Sequence, residues 1–439
     1  MKEQAGKPGI FFTRGMFSSL SNREFRFLWL GNLGAQFAMQ MQVVARGWLI
    51  YAMTNSPLML TWVLLSFAIP SFVFSLFGGV MADRLPKKRV MIVAQCLNFI
   101  ATLVMANFII SDAVTFEHFL WFGAFNGTVL SLSMPARQSV IPELVGEAEL
   151  FNAMALSTAS MNISRVCGPA LAGAIIALVA DGDTTSTFGV GVVYYLIAAL
   201  YVVAVVTLLF MKYRGDVLEK SQQGIFTDIN AGIQYMWQSP LIFGLLLMSF
   251  LPMLFGMPIQ FLMPAYNHDV IGGGPDSLGL LMGVNGGGAL FGSLVLARMG
   301  NVSRKGYWLL GLSVLWALFM GLFAFTHTLL FALPLVLLVG VCSSMFMAMN
   351  MSLVQLAVDP AMRGRVNSIM MMTFGLMPVG VIPIGYIAEH WGIDTGLWIS
   401  AICLTVVTVL LGVFFPAIRD IDQGYRNSLS NSESVETIR

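Results

Sequence analysis

Charge is what this 439-residue chain has least of: Asp, Glu, Lys and Arg make up 10% of it, against 57% hydrophobic residues and a mean hydropathy of +0.80. Soluble domains carry about 25% charged residues, so the shortage excludes that class. Cysteine is equally sparse. Cys96, Cys167, Cys342 and Cys403 stand alone, with no CxxC spacing and no histidine partner, which excludes a disulfide framework or a zinc site and leaves them as small packing residues. No cluster of nucleophile, base and metal-ligand residues recurs anywhere, so the chain is expected not to be an enzyme and to need no cofactor or metal.

Long apolar runs are abundant instead. Each is long enough for a helix to cross a hydrocarbon core of about 30 Å, and twelve can be placed, at 25–52, 57–82, 88–111, 118–140, 149–180, 187–211, 241–266, 277–299, 305–326, 329–356, 364–389 and 394–416. Barrel strands would be about ten residues long and alternate in polarity, so the continuous runs predict an all-α polytopic membrane protein, with the lipid bilayer as its first partner.

The net charge of +1 hides an uneven distribution. With an even number of spans both termini share one side. Of the 23 Lys and Arg residues, all but Arg46 and Arg165 are expected there, whereas the opposite loops carry acids such as Asp112, Asp181, Asp183, Asp269 and Asp394. The positive-inside rule then makes both termini cytoplasmic. The basic residues report topology, and no nucleic-acid partner is expected. The first 24 residues are polar and mixed in charge, so the first span is expected to act as an uncleaved anchor.

The longest break in hydropathy divides the chain. It gives an N-terminal cytoplasmic segment at 1–24, a first six-helix bundle at 25–211, a cytoplasmic linker at 212–240, a second six-helix bundle at 241–416 and a tail at 417–439. Within the linker Ile225, Phe226, Ile229, Ile233, Met236 and Trp237 fall at helical spacing, which predicts an amphipathic interfacial helix. The halves also repeat weakly: GGVMADRLPKKR in the first compares with GGALFGSLVLARMGNVSRK in the second. Two such halves predict a transporter that rocks one bundle against the other, with a monomer as the working unit.

The turn between the second and third spans resembles the loop signature of the major facilitator superfamily, G-x-x-x-D-R-x-x-R/K-R/K, at Gly79, Asp83, Arg84, Lys87 and Lys88, with Arg89 following; it departs at Pro86. That resemblance covers the whole chain and implies a latch in which Asp83 and Arg84 hold the cytoplasmic side of the first half to the second, with Lys87, Lys88 and Arg89 either joining it or only setting topology. In the fifth span SRVCGPALAG resembles the antiporter signature G-x-x-x-G-P-x-x-G-G, at Ser164, Gly168, Pro169 and Gly173. The signature is associated with exporters, while small residues at this spacing also serve ordinary close helix packing. MPARQSVIPELVGEAELFNAMAL and LAVDPAMRGRVNSIM resemble loops of the third drug:proton antiporter group, which includes macrolide and enterobactin exporters. The resemblance implies efflux of an amphipathic small molecule, a bacterial inner membrane and H+ as the coupling ion. One group feature is absent: the fourth-span arginine of R-x-x-Q-G is replaced within Gly123-Ala-Phe-Asn126-Gly127.

Intramembrane charges cost roughly 2.5 to 3.5 kcal/mol on insertion scales and face a cavity or a partner. Arg165, beside the Gly-Pro bend, and Arg46 are therefore candidate cavity residues, or structural arginines satisfied by carbonyls. Asn32, Gln36 and Gln40 fall at steps of four along one face of the first span, suited to a wet cavity or to interhelical hydrogen bonds. Asn126, Asn162, Gln260 and Asn350 are further cavity candidates. No Asp or Glu lies in the central third of a span, and Glu389 beside His390 is the candidate coupling pair. Cavity arginines without opposing acids predict an anionic or electron-rich, siderophore-like substrate. The alternatives are a lipid or solute transporter of the same fold, uptake in place of efflux and, more distantly, a membrane enzyme or a scaffold.

Overall fold

A computed structural model describes residues 17–180, 187–213, 234–299, 302–359, 362, 366, 370 and 377–421, with the backbone alone at 76–84, 147–148 and 377–378. Among the described residues there is no strand. A short 3-10 turn, Ser18–Ser21, precedes α1 (Arg23–Thr54), and the Asn22 side chain caps α1 by accepting from the Glu24 and Phe25 amides at 2.9 and 3.2 Å. The helix stops at Asn55, which takes the left-handed conformation at φ 48°. α2 (Pro57–Arg84), α3 (Lys87–Ile110), α4 (Phe116–Val179) and α5 (Thr187–Phe210) follow.

α4 is two limbs rather than one rod. Gly146, at φ 67° and ψ 172°, breaks the helical path between them, and only a residue without Cβ enters that region cheaply. The fourth and fifth expected spans are thus joined by helical turns and a single reversal point, where the sequence suggests an eight-residue loop.

The second group contains α6 (Pro240–Gly256), α7 (Pro258–Tyr266), α8 (Pro275–Met299), α9 (Lys305–Phe323), α10 (Leu329–Ala357), α11 (Met377–Trp391), α12 (Ile393–Phe414) and the short α13 (Pro416–Arg419). α6 and α7 together fill the seventh expected span, with a break at Met257 between two prolines at helix starts. A π-helical turn, Asn267–Ile271, continues α7 and ends at Gly272. Of the expected linker helix, residues 234–238 are helical; the rest lies outside the described residues.

Nine described helical segments are long and apolar enough to cross a membrane. The first, fourth and eleventh expected spans are not among them. The polar residues Asn32, Gln36, Gln40, Gln42 and Arg46, spread over two faces, dilute the apolarity of α1, and the described part of α11 is only 15 residues long.

α1 packs on α4 and α5, and α3 on α5; farther along, α8 and α9 pack on α10, and α12 on α9 and α6. The groups meet chiefly where the second limb of α4 lies against α8 and α2 against α11, with α1 against α7 and α8, and α2 against α7, adding smaller contacts. One end of the molecule carries Asn55, Asp112, Asp269 and Glu389, and is called the acidic end here. The other, with Lys87–Arg89 and Glu143, is the basic end.

Candidate functional site

The seam between the helix groups is closest at α4 and α8. A Cβ at Gly173 would meet the Gly279 Cα at 2.9 Å, and one at Gly279 would meet the Pro169 carbonyl at 2.6 Å, so the helices touch backbone to backbone. Pro169 sits at this crossing because its missing amide leaves that part of the helix less constrained. Farther along, Gly283 faces the Val166 carbonyl and Gly286 faces the Arg165 carbonyl, at 2.9 and 2.6 Å from their added Cβ atoms. The motif at Ser164, Gly168, Pro169 and Gly173 thus serves two neighbours. Pro169 and Gly173 meet α8, whereas Gly168 receives Gln40 of α1, whose Cβ would lie 2.7 Å from a Cβ there. Ser164 is fully buried, and its hydroxyl has no partner among the described residues.

Arg165 is exposed on this seam, while its carbonyl and Cγ pack against Gly286. Asn162, one turn earlier, is half-buried, as are Asn32, Gln36, Gln40 and Asn126; Gln260 is exposed. The Gln36 Oε1 is buried and has no partner among the described residues.

Two further candidate residues have their nearest named neighbours within their own helix group. Asn350 is 3% exposed and donates to Ser249 Oγ at 2.6 Å, inside the second group, where it ties α10 to α6. Arg46 is half-buried in α1 and lies within electrostatic reach of Tyr194 on α5. A third arginine was missed. Arg137, expected among the surface cations, belongs to the first limb of α4, is half-buried and has Tyr201 of α5 within the same reach.

The acidic end is closed by hydrogen bonds across the seam. The Tyr51 hydroxyl of α1 donates to Asp269, whose other oxygen lies 2.8 Å from His268 Nδ1. Ser56 donates to Glu389 Oε2 at 2.7 Å, and the Leu58 amide reaches the same oxygen at 3.3 Å. Two carboxylates of the second group thus accept from donors of the first. His390 turns away, its Nδ1 lying 3.0 Å from the Tyr386 carbonyl.

At the basic end the side chains of Gly79, Asp83 and Arg84 lie outside the described residues, although their backbone continues α2. Among the described residues, the partners of Lys87 and Lys88 lie in the first group. Lys87 pairs with Glu143 of α4, which also accepts from the Tyr213 hydroxyl, while Lys88 donates to the Met211 carbonyl; Arg89 is exposed. Glu24 accepts from the Lys212 and Tyr213 amides at 2.7 and 3.1 Å. These bonds bind the basic ends of α1, α3, α4 and α5 into one unit.

A separate apolar groove of about 760 Å³ lies between α2, α3 and α4, bordered by Pro70, Phe74, Ile100, Phe108, His118 and Trp121. None of the expected site residues lines it.

The family described as transmembrane secretion effector, MFS_3, matches residues 14–437. The chain belongs to that family. This member is 23% identical over 407 residues to the staphyloferrin A transporter of Staphylococcus aureus, covering 90% of its own length and 94% of the relative's. It is 24% identical over 400 residues to macrolide efflux protein A of Streptococcus pyogenes, with 88% and 96% covered, and 27% identical over 301 residues to the enterobactin exporter EntS of Salmonella typhimurium, with 68% and 69% covered. In fold the chain is similar to the nucleoside transporter NupG at a TM-score of 0.71 and 15% identity, covering 89% of this chain and 98% of that one. It is an integral membrane transporter of the major facilitator type.

Proposed function

We propose that this transporter exports amphipathic small molecules bearing anionic groups, siderophore-like compounds foremost, by alternating access between the bundles at 25–211 and 241–416, with proton coupling. The observation that carries the reading is the position of Arg165. It is an exposed cation on the seam, beside the backbone-to-backbone crossing of α4 and α8, and no carboxylate acts on it electrostatically among the described residues. Such a charge attracts an anionic group. Relatives named for moving staphyloferrin A, macrolides and enterobactin support both the direction and the amphipathic class. Asn162 and the half-buried amides of α1 supply neutral hydrogen-bonding groups on the neighbouring turns.

The excess of Lys and Arg at the basic end favours placing it, with both termini, in the cytoplasm of a bacterial inner membrane. The acidic end then faces outward. There Asp269 and Glu389 are the acceptors of the bonds that close the seam, and protonating either removes the charge that makes its hydroxyl hydrogen bond strong. We assign the proton's effect to these two groups, with Glu389 in the role expected of the Glu389–His390 pair.

Transport into inverted vesicles tests the whole reading. Uptake of anionic amphiphiles is expected to require an imposed pH gradient, and Arg165→Ala is expected to slow it about tenfold or more while sparing neutral compounds. Unchanged transport of every anionic compound by Arg165→Ala would remove the substrate assignment, and uptake indifferent to the gradient would remove the coupling.

A further inference from the structure

A second groove lies on α9 at the basic end, where Arg304, Tyr307, Trp308, Gly311, Leu312 and Leu315 border about 500 Å³ of open space. Steps of three and four put these residues on one face of the helix. The protein holds α9 from its other sides: Leu310 lies against Gly412 of α12, Gly306 against Ile418 of α13, and Trp316 beside Phe346 of α10. Because α9 is long and apolar enough to span the bilayer, its exposed Tyr307, Trp308 and Leu315 face lipid, while buried Leu312 forms the wall behind them.

The floor of the groove is a glycine that nothing in the packing demands. At Gly306 an added Cβ would lie 1.8 Å from the Ile418 carbonyl, so no larger residue fits there. At Gly311 an added Cβ would meet nothing within 4 Å. Glycine inside a helix is unfavourable and here relieves no contact among the described residues, so its effect is to keep a gap open between bulky neighbours.

The two ends of the groove differ in chemistry. Arg304 is exposed, forms no salt bridge or side-chain hydrogen bond among the described residues, and no acidic residue borders the groove. Tyr307 and Trp308 follow within one turn, and such rings settle at the level of lipid headgroups. From Arg304 to Leu315 the helix rises about 16 Å, roughly half of a hydrocarbon core of about 30 Å. The cation therefore sits at the membrane surface, and the apolar end reaches the depth of one leaflet.

We propose that this groove binds one anionic phospholipid, with its phosphate on Arg304 and an acyl chain laid over Gly311 towards Leu315. The pairing of a free cation with an apolar slot of leaflet depth matches both parts of that molecule. The larger groove at Pro70 and Trp121 has no bordering Lys or Arg and offers no such selectivity. The site is separate from Arg165 and the α4–α8 seam, and it holds whichever compound is transported.

Native mass spectrometry of the purified full-length chain in detergent, titrated with phosphatidylglycerol or phosphatidylcholine of matched acyl chains, reads this out. Phosphatidylglycerol is expected to be retained saturably and more tightly. Arg304→Asn keeps a residue that tolerates the left-handed backbone at φ 59° and removes the charge, and is expected to weaken phosphatidylglycerol about fivefold, to the level of phosphatidylcholine. Gly311→Leu fills the gap and is expected to weaken both lipids, while its melting temperature in detergent holds or rises. Arg298→Gln removes another exposed cation at the same end and is expected to keep the preference. Equal retention of the two lipids by the wild type overturns the proposal, as does wild-type binding of phosphatidylglycerol by either groove variant. A preference lost as fully in Arg298→Gln as in Arg304→Asn overturns it too, since the selectivity would then belong to the basic end at large. Gly311→Leu carries the test if Arg304→Asn does not fold.

Discussion

Glu143 is gripped from two directions, by the Lys87 ammonium and the Tyr213 hydroxyl. Partial burial pulls its carboxyl upward, but the hydrogen bonds from Lys87 and Tyr213 and the lysine charge together outweigh that, and hold it below the usual carboxylate range. A group depressed in the folded state stabilises it above the unfolded pKa, about 4.3 for Glu, and that contribution fades as the pH falls through the lower folded value. Glu143→Gln is therefore expected to cost about 1 kcal/mol or less at neutral pH, with the melting-temperature gap to wild type closing under acid conditions. Single residues were also where the sequence was hardest to read. The motif charges announced a basic turn, but Lys87 pairs with a residue 56 positions away, and no local pattern carries that distance. Arg137 looked like one more surface cation because it lies near the end of an apolar run. Asn350 looked like a cavity amide because a lone amide in a span satisfies either role, and only the position of Ser249 on another helix decides it.

Helices were more legible. Length and continuous apolarity set the positions of α1 to α3, α5, α8 to α10 and α12 to within a few residues, because crossing a bilayer constrains both. The joint at Gly146 was not legible, since a glycine in a polar stretch reads equally as a loop residue. Its φ of 67° with ψ of 172° makes a definite prediction: Gly146→Ala is expected to lower stability by about 1–3 kcal/mol, seen as a reduced melting temperature, because that region is essentially closed to residues with a Cβ. The seam gives another. A Cβ at Gly279 would come within 2.6 Å of the Pro169 carbonyl, so Gly279→Val must push α8 away from α4. Transport is expected to fall sharply, while membrane insertion, read by protease protection, stays normal.

For the molecule as a whole, the acidic end is the contact that must break if the bundles rock. Asp269 and Glu389 lie in the second half of the chain, and Tyr51 and Ser56 in the first, so both bonds report the same relative movement. Ser56→Cys with Glu389→Cys, made in a background freed of the four native cysteines and bridged by a short thiol-reactive cross-linker with a cleavable disulfide spacer, is expected to stop transport, with a reducing agent restoring it. Normal transport by the cross-linked protein would show that the acidic end need not open. Asp269→Asn with Glu389→Gln is expected to weaken closure, measured as faster hydrogen exchange of the acidic-end segment around Leu58.

The bent path of α4 carries one last consequence. A single continuous piece of chain holds Glu143 on one limb and Arg165 on the other, with Gly146 as the elbow. Lys87, Tyr213 and Glu24 bolt the near limb to the ends of α1, α3 and α5, while the far limb carries the crossing with α8. Under the proposed function, a compound held at Arg165 therefore acts on the very segment that joins the two bundles, and the elbow at Gly146 is where that limb can tilt against its anchored half.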